Sequence, residues 1–389
     1  MQDSATSAWP CFAQARALRT LGSRGVQSLF EEWEALLQVF TDDPILATAG
    51  TGPEQRLRHA IAMAAWIVRG LRLASRKASR GQHVVWVGAA FTISDDRVTV
   101  ALNPQLHKDI LAMIGDFLTG NRIPLKKFRC FTGKANFAAG LIWIWRPFLA
   151  PCWAAITKAI KRAKNERGRS FFNFMWTKQV RIALLWIWTF LTHRADAMSQ
   201  VHYDLSYHSE VLTVLISIDA SLWGLGGTLA IGGIIEEHFA SDISPHDVAR
   251  FKMPVGDDRG QQLWEALAIL VALRLWHKVW RGRRCKLMVR SDSMSALISL
   301  AALKSKGEGI QVIAMELALD IGSALYRPGL IVHTPGVSNV VPDYLSRLSA
   351  PGTPKSPPAQ LASSKLRTPP TRGPAWWLSD HPLSPEAKA

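Results

Sequence analysis

From residue 211 onward, apolar positions switch between strand-like and helix-like spacing. Val211–Asp219 is an apolar strand-like run that ends at an acid, and the glycines after it divide two further short strands. Gln261–Val279 has the length and apolar content of a buried helix, and Cys285–Asp292 is again an apolar strand that ends at an acid. Two helices, a short strand at Leu330–His333 and a last helix follow. This alternation predicts an α/β domain over 211–349, with a mixed five-stranded sheet and flanking helices.

The chain before residue 211 is predicted to be mainly helical. Gln27–Phe40 and Glu54–Ala74 have amphipathic spacing, and Thr41–Gly52 is predicted to be a break between them. Val84–Phe91 and Arg97–Leu102 are predicted strands joined by a polar turn. Three further helices follow and form a basic, Trp-rich middle.

The last 40 residues differ in composition from the rest. Nine of them are proline, interspersed with Ser, Thr, Lys and Ala, which is typical of a disordered or polyproline-like tail. The patterns together predict four segments, which are 1–105, 106–210, 211–349 and a disordered 350–389.

Charge favours a polyanionic partner. Lys and Arg number 46 against 30 Asp and Glu, which gives a net charge of +16. Residues 121–200 hold 15 of the basic side chains and two acids. This excess favours nucleic acid, with an anionic membrane surface as the alternative. One dense basic run is predicted to bind phosphates, unless it is only a solvated helix face: Lys158, Lys161, Arg162, Lys164, Arg167 and Arg169.

Several protein classes are excluded. An apolar content of 48% and 16 tryptophans exclude wholesale disorder. Four widely separated cysteines exclude a disulfide scaffold. Apolar runs are broken or shorter than the roughly 20 residues of a membrane-spanning helix, and the N-terminus lacks the pattern of a secretory signal. We therefore expect no membrane partner and an intracellular protein of the nucleus or cytoplasm.

Four acids occupy positions where the pattern favours apolar or neutral residues. Asp219 and Asp292 end strands, Glu265 lies in the apolar helix, and Asp343 opens the last helix. A single such acid usually caps a helix or is solvated. Strand ends gather at one rim of an α/β sheet, however, and four acids there would repel one another unless a divalent metal neutralised them. Two Mg²⁺ ions held by carboxylates are the apparatus for phosphodiester hydrolysis.

At these positions the chain resembles the ribonuclease H of retrotransposon polyproteins. The resemblance rests on Asp-Ala-Ser-x-x-Gly-x-Gly-Gly from Asp219, the helical Glu265, Ser-Asp-Ser around Asp292, and a closing His-x-Pro-Gly-x-x-Asn-x-x-x-Asp-x-Leu-Ser-Arg that contains Asp343. It implies that Asp219 bridges two Mg²⁺ ions, that Glu265 and Asp292 complete one site and that Asp343 completes the other, with Mn²⁺ as a substitute. Pro342 stands where the family usually has alanine, which bears on where the last helix begins.

His333 ends the short strand that precedes this closing motif. In the family, a histidine near the last carboxylate assists proton transfer or product release. An auxiliary catalytic role is therefore one interpretation of His333, and a structural or substrate-facing role is the other.

A second resemblance lies near the N-terminus. Phe40-Thr41-Asp42-Asp43, followed by proline, resembles the aromatic-x-Asp-Asp turn of reverse transcriptases, in the variant of DIRS-like retroelements. An ordinary turn or cap is the alternative. The family needs a third metal-binding aspartate on an earlier strand, and none of the acids before Asp42 lies on a plausible strand. The resemblance therefore implies a truncated palm over 1–105 with a vestigial polymerase site, and a helical thumb or connection over 106–210.

The sequence thus predicts a two-metal endonuclease that cleaves the RNA strand of RNA–DNA hybrids, within a retroelement reverse transcriptase and ribonuclease H polyprotein. Two alternatives stay open. The chain could be a non-catalytic nucleic-acid-binding remnant, or an RNA-directed DNA polymerase only when a partner chain supplies the missing palm and fingers. Polymerase activity of this chain alone is not expected.

Overall fold

The computed structural model describes residues 35–40, 43–48, 50–70, 76, 78–94, 97–165, 173–194, 199–203, 212–281, 283, 285–304, 307–323, 326, 329–352 and 356–382. The chain divides into two compact units, Met1–Asn103 and Pro104–Ala389. This division lies two residues from the predicted boundary at 105, whereas the predicted boundaries at 210 and 349 fall inside the second unit. In the part of the chain that is described, no helix is long and apolar enough to cross a membrane.

The described part of the first unit begins with a β-hairpin where a helix and a break were predicted. Strands β1 (Ala35–Phe40) and β2 (Asp43–Thr48) pair antiparallel, with Phe40 opposite Asp43. The prediction of a helix through residue 40 is therefore wrong. A short apolar run satisfies helical and strand spacing equally well, and pairing with β2 decides between them.

A helix and three antiparallel strands follow in the first unit. Helix α1 (Gly52–Val68) starts with a capping box, in which the backbone nitrogen and the hydroxyl of Thr51 both donate to Glu54 Oε2. The single strand predicted at Val84–Phe91 is instead two, because Val87 and Gly88 turn the chain with positive φ. The three strands are β3 (His83–Trp86), β4 (Ala89–Ile93) and β5 (Arg97–Leu102).

The second unit opens with a helical region packed around aromatic side chains. Phe117, Phe128 and Phe131 contact one another with ring centroids 5.5–5.7 Å apart, and they hold the first two helices together. The elements of this region are α2 (Pro104–Leu118), β6 (Arg122–Pro124), α3 (Leu125–Leu141), α4 (Arg146–Asn165), β7 (Phe174–Trp176), α5 (Arg181–His193) and β8 (Ser199–Tyr203).

A mixed six-stranded sheet forms the rest of the second unit, with the strand order β13-β12-β9-β10-β11-β14. Strands β9, β10 and β11 form an antiparallel meander. Strand β12 pairs in parallel with β9, and β13 pairs in parallel with β12. The predicted mixed α/β sheet is confirmed: five of its strands lie within 211–349, and the sixth, β14, lies in the segment after residue 349. Its strands are β9 (Leu212–Ala220), β10 (Gly224–Ile231), β11 (Ile234–Asp242), β12 (Cys285–Ser291), β13 (Leu330–His333) and β14 (Lys365–Leu366).

Helices cover the sheet and carry much of its core. They are α6 (Pro245–Phe251), α7 (Gln261–Trp280), α8 (Met294–Ala302), α9 (Glu308–Gly322) and α10 (Val340–Ser346). Helix α7 is buried on almost every side, because it packs against the sheet, α8 and α9. Its apolar sequence therefore reflects burial rather than membrane insertion.

The sixth strand belongs to the segment that was predicted to be disordered. Strand β14 pairs in parallel with β11, and Trp377 behind it is buried. Arg274 of α7 donates to the Trp376 carbonyl at 2.7 Å, and both oxygens of Glu316 accept backbone N–H groups of residues 378 and 379. The prediction of a disordered tail is therefore wrong for residues 356–382. The prolines set extended backbone while tryptophan and arginine side chains supply the contacts.

Candidate metal centre

Three of the four predicted acids meet at one rim of the six-stranded sheet. Asp219, Glu265 and Asp292 each place a carboxylate oxygen within 4.8 Å of an oxygen of the other two. Asp219 and Glu265 are only 4% and 5% exposed, and Asp292 is half-buried. Three acids that converge at this depth form a site that requires either protonation or a cation.

Strand register explains why the first and third acids are neighbours. Strands β9 and β12 run parallel, with Ser217 opposite Arg290. Asp219 and Asp292 each lie two residues beyond that pair, so both come to the same edge of the sheet. Glu265 lies in the second turn of α7, which packs against β9 and β10.

In two of the three acids, one carboxylate oxygen accepts a hydrogen bond from a neighbouring side chain. The Ser346 hydroxyl donates to Asp219 Oδ2 at 2.6 Å. The Gln261 side-chain amide donates to Glu265 Oε1 at 2.8 Å and also to the Ala220 carbonyl at 2.7 Å. Gln261 thus ties the start of α7 to the end of β9.

Two carboxylate oxygens of the cluster are buried without a hydrogen-bond partner among the described residues. They are Glu265 Oε2 and Asp292 Oδ1. A buried polar oxygen without a partner is costly, and an anionic one more so. The cluster therefore fits a divalent cation, because oxygen ligands of this kind are those that Mg²⁺ and Mn²⁺ prefer.

The pKa values of the two most buried acids of the cluster reflect the same geometry. Burial raises the pKa of Asp219 to about 7, and the charges of Asp292 and Asp343 act in the same direction, while the Ser346 hydrogen bond opposes them. Burial also raises the pKa of Glu265 well above its ordinary value, and the charges of Asp219 and Asp292 raise it further. Without a cation, both carboxyls therefore keep a proton to higher pH than an ordinary carboxyl does.

Asp343 stands outside the three-acid cluster. Its carboxylate pairs with Arg347, the residue directly after α10, with Oδ1 2.5 Å from Nε, yet its charge contributes to the raised pKa of Asp219. Asp343 is therefore close enough to act on the cluster electrostatically.

Pro342 does not move the start of the helix, because α10 begins at Val340 and a proline in the first turn removes an N–H that has no partner in the helix.

Helix α10 packs closely against β10, where two glycines leave room for the helix backbone. A Cβ at Gly226 would lie 2.5 Å from the Ser346 nitrogen and 2.7 Å from the Pro342 carbonyl oxygen. A Cβ at Gly224 would lie 2.8 Å from the Ser346 carbonyl oxygen. The first two glycines of the Gly-x-Gly-Gly motif are thus required for the approach of the helix that carries Asp343.

His333 lies beside the third acid of the cluster. Its side chain is exposed, and Nε2 is 3.1 Å from the Asp292 carbonyl oxygen. Gly336 also approaches this acid, since a Cβ there would lie 3.1 Å from Asp292 Oδ2. The histidine is therefore at the rim of the candidate centre, where it contacts the backbone of Asp292.

The predicted basic run is only partly described. Lys158 and Lys161 are exposed on α4, and Arg162 is half-buried. Lys164 lies in the same helix with only its backbone described, and Arg167 and Arg169 lie outside the described residues. Of the vestigial polymerase pair, Asp42 also lies outside them, and Asp43 starts β2 with only its backbone described.

Sequence reasoning missed three polar residues that support the site. Besides Ser346 and Gln261, the buried Asn339 donates from Nδ2 to the Ile218 carbonyl at 3.0 Å and precedes α10. Ser346 and Asn339 are part of the closing motif, so their positions were visible in the sequence. Their partners were not, because each bonds a residue more than 120 positions away.

No family model matches the chain, and no curated protein matches it significantly. Among solved structures, the chain is similar to RNase H1 of the halophilic archaeon Halobacterium salinarum, with 18% identity over 34% of this chain and 93% of the other, and a TM-score of 0.27. It is similar to LC11-RNase H1 from compost, with 15% identity over 36% of this chain and 96% of the other, and a TM-score of 0.26. A third similarity is to a foamy viral protease-reverse transcriptase in complex with RNA/DNA hybrid, with 14% identity over 87% of this chain and 40% of the other, and a TM-score of 0.33.

Proposed function

We propose that the second unit is a ribonuclease H-type nuclease that cleaves the RNA strand of RNA–DNA hybrids with divalent metal. The observation that carries this proposal is the meeting of Asp219, Glu265 and Asp292, with two carboxylate oxygens buried and without partners in the described part of the chain. A rim of acids that a cation must neutralise is suited to phosphodiester hydrolysis.

Each acid has a role in holding metal in this proposal. By the family resemblance, Asp219 would contact both of two ions, Glu265 and Asp292 would complete one site, and Asp343 would complete the other. When bound, the ions lower the pKa of an attacking water and stabilise the leaving 3′ oxygen. The Arg347 side chain pairs with the Asp343 carboxylate, so a metal ion that binds Asp343 would compete with Arg347.

The helical region would hold the substrate by its backbone. Lys158 and Lys161 point to solvent from α4, in a stretch of chain with very few acids. Lysine contacts to phosphate give affinity that depends on salt and little on sequence. We therefore propose a hybrid-binding role for α4, and we keep the retroelement origin and the truncated palm as parts of the same proposal. A polymerase complemented by a partner chain stays the alternative.

The test is cleavage of a labelled RNA–DNA hybrid by the full chain with Mg²⁺, beside its Asp292→Asn variant. The control is Asp116→Asn, which makes the same change of charge on the exposed surface of α2. We expect cleavage by the parent and the control, and none by Asp292→Asn. Hybrid binding without cleavage by all three would overturn the nuclease and leave a nucleic-acid-binding remnant.

A further inference from the structure

Residue 346 is surrounded so closely that only a small side chain fits. Ser346 is fully buried, and its backbone nitrogen lies where a Cβ at Gly226 would come within 2.5 Å. Its carbonyl oxygen accepts a hydrogen bond from the Ser221 hydroxyl at 2.6 Å. Packing therefore explains a small residue at this position.

Packing does not explain the hydroxyl. Alanine fits the same space, is a better helix former than serine, and buries no polar group. The Ser346 hydroxyl instead donates to Asp219 Oδ2 at 2.6 Å, and its alternative acceptor is the Asp343 carbonyl at 3.0 Å. Both acceptors belong to residues that the proposed function gives a role in holding metal, Asp219 on β9 and Asp343 on α10.

A hydrogen bond to one oxygen fixes the direction of the other. With Oδ2 bound to Ser346, the Asp219 carboxylate is held at one orientation, and its second oxygen accepts no hydrogen bond from the described residues. Groups that orient metal-binding carboxylates in this way tune metal affinity although they never touch the metal.

We propose that Ser346 is a positioning residue for the metal centre, which orients the Asp219 carboxylate and couples it to the helix that carries Asp343. This inference rests on the proposed function, because it assumes that Asp219 binds metal. It adds a residue of α10 whose effect on the metal is exerted through Asp219.

The experiment measures Mn²⁺ binding to the full chain by electron paramagnetic resonance of the free ion, which requires no substrate and no turnover. Ser346→Ala is compared with the parent and with Ser299→Ala. Ser299 is a matched control, because it is also a buried helical serine, but its hydroxyl bonds the Ser295 carbonyl of its own helix at 2.9 Å. We expect Ser346→Ala to bind Mn²⁺ about 10- to 100-fold more weakly, and Ser299→Ala to bind like the parent.

A further variant separates orientation from packing. Ser221→Ala removes the bond to the Ser346 carbonyl and the acceptor of the Trp223 and Gly224 N–H groups, but it keeps the Ser346 hydroxyl and its bond to Asp219. It should therefore lower the thermal midpoint and leave Mn²⁺ affinity within about twofold. If Ser346→Ala does not fold, Ser346→Cys replaces it, because a thiol is a weak donor of similar size. Here too we expect weaker Mn²⁺ binding than in the parent.

The outcomes distinguish this inference from the proposed function. Parent-like Mn²⁺ affinity in Ser346→Ala, or in Ser346→Cys if that variant replaces it, would overturn the positioning role, as would equal weakening by Ser221→Ala. A parent that binds Mn²⁺ but cleaves no hybrid would overturn the nuclease, and the Mn²⁺ comparison would still decide the role of Ser346. A parent that binds no Mn²⁺ would overturn both.

Discussion

Arg372 and Asp247 form an ion pair that is almost completely removed from solvent, with Nη2 2.7 Å from Oδ2 and side chains 3% and 0% exposed. Asp247 also caps α6 by accepting from the Ser244 nitrogen and hydroxyl. Arg372 donates further to the Asp242 carbonyl and the Ser241 hydroxyl. The pair thus fixes the C-terminal segment, residues 356–382, to the end of β11 and the start of α6.

Replacing Arg372 with alanine should be strongly destabilising, because Asp247 would remain buried without its partner charge. Breaking a buried pair costs about 3–5 kcal/mol, and we expect a loss of this order in the free energy of unfolding, measured with urea. The control is Arg367→Ala in the same segment, whose partner is Glu237 and whose side chain is 45% exposed. That variant should unfold close to the parent, since exposed pairs contribute little. Equal unfolding midpoints for both variants would contradict the prediction.

Removal of the C-terminal segment should loosen the second unit. A chain ending at residue 352 lacks the bonds to Glu316 and Arg274 and leaves the space of Trp377 open. We expect a lower thermal midpoint and faster proteolysis than in the parent, because buried charges lose their partners. A chain ending at residue 382 is the matched control and should match the parent. If the shorter chain is equally resistant, the segment has no stabilising role.

Without metal, the protein should lose stability as pH rises from the ordinary pKa of Asp219, 3.8, to its raised pKa of about 7. In that window the folded state keeps a proton that the unfolded chain has released, so the free energy of unfolding falls with rising pH. Metal binding needs the ionised carboxylate, so stabilisation by Mg²⁺ should grow over the same window.

The measurement is the thermal midpoint from pH 4 to 8, with and without Mg²⁺, for the parent and for Asp219→Asn. The asparagine variant cannot titrate at this position, so its midpoint should fall less steeply with pH and respond less to Mg²⁺. Identical pH profiles of the two metal-free proteins would show that Asp219 does not have a raised pKa.

Alanine at Gly226 should push α10 away from the sheet. The new Cβ would lie 2.5 Å from the Ser346 nitrogen, which is backbone and cannot rotate away. We expect a destabilisation of about 1–3 kcal/mol, typical of overpacking, together with weaker Mn²⁺ binding. Gly115→Ala in α2 is the control, because nothing lies within 4 Å of its Cβ and alanine favours helix. An unchanged thermal midpoint for Gly226→Ala would contradict the close approach of α10.

The convergence of Asp219, Glu265 and Asp292 could be predicted from the sequence, because acids at the ends of apolar strands are conspicuous and parallel strands bring their ends together. Gln261 and Ser346 could not be assigned a partner in this way. Their bonds depend on how α7 and α10 dock, and docking depends on side-chain volumes that no periodicity records.

Composition misled the prediction at the C-terminus. Proline-rich sequence without an apolar period is typical of disorder, yet Arg372 and Trp377 are the kind of residues that bind to a folded surface. At the N-terminus, Ala35–Phe40 was short enough to satisfy both helical and strand patterns, and only its pairing with β2 distinguishes them.

Strand β14 also changes what the sheet offers to other molecules. Lys365 and Leu366 lie beside Glu237 and His238, and the Arg367 nitrogen donates to the His238 carbonyl at 2.8 Å. An uncovered strand edge is a template for pairing with another chain, and β14 occupies part of the β11 edge. A protein ending before Lys365 would therefore present that edge to its own copies. We expect such a protein to form concentration-dependent aggregates of intermolecular β-structure. By pairing with β11, β14 would then prevent the self-association of the sheet edge.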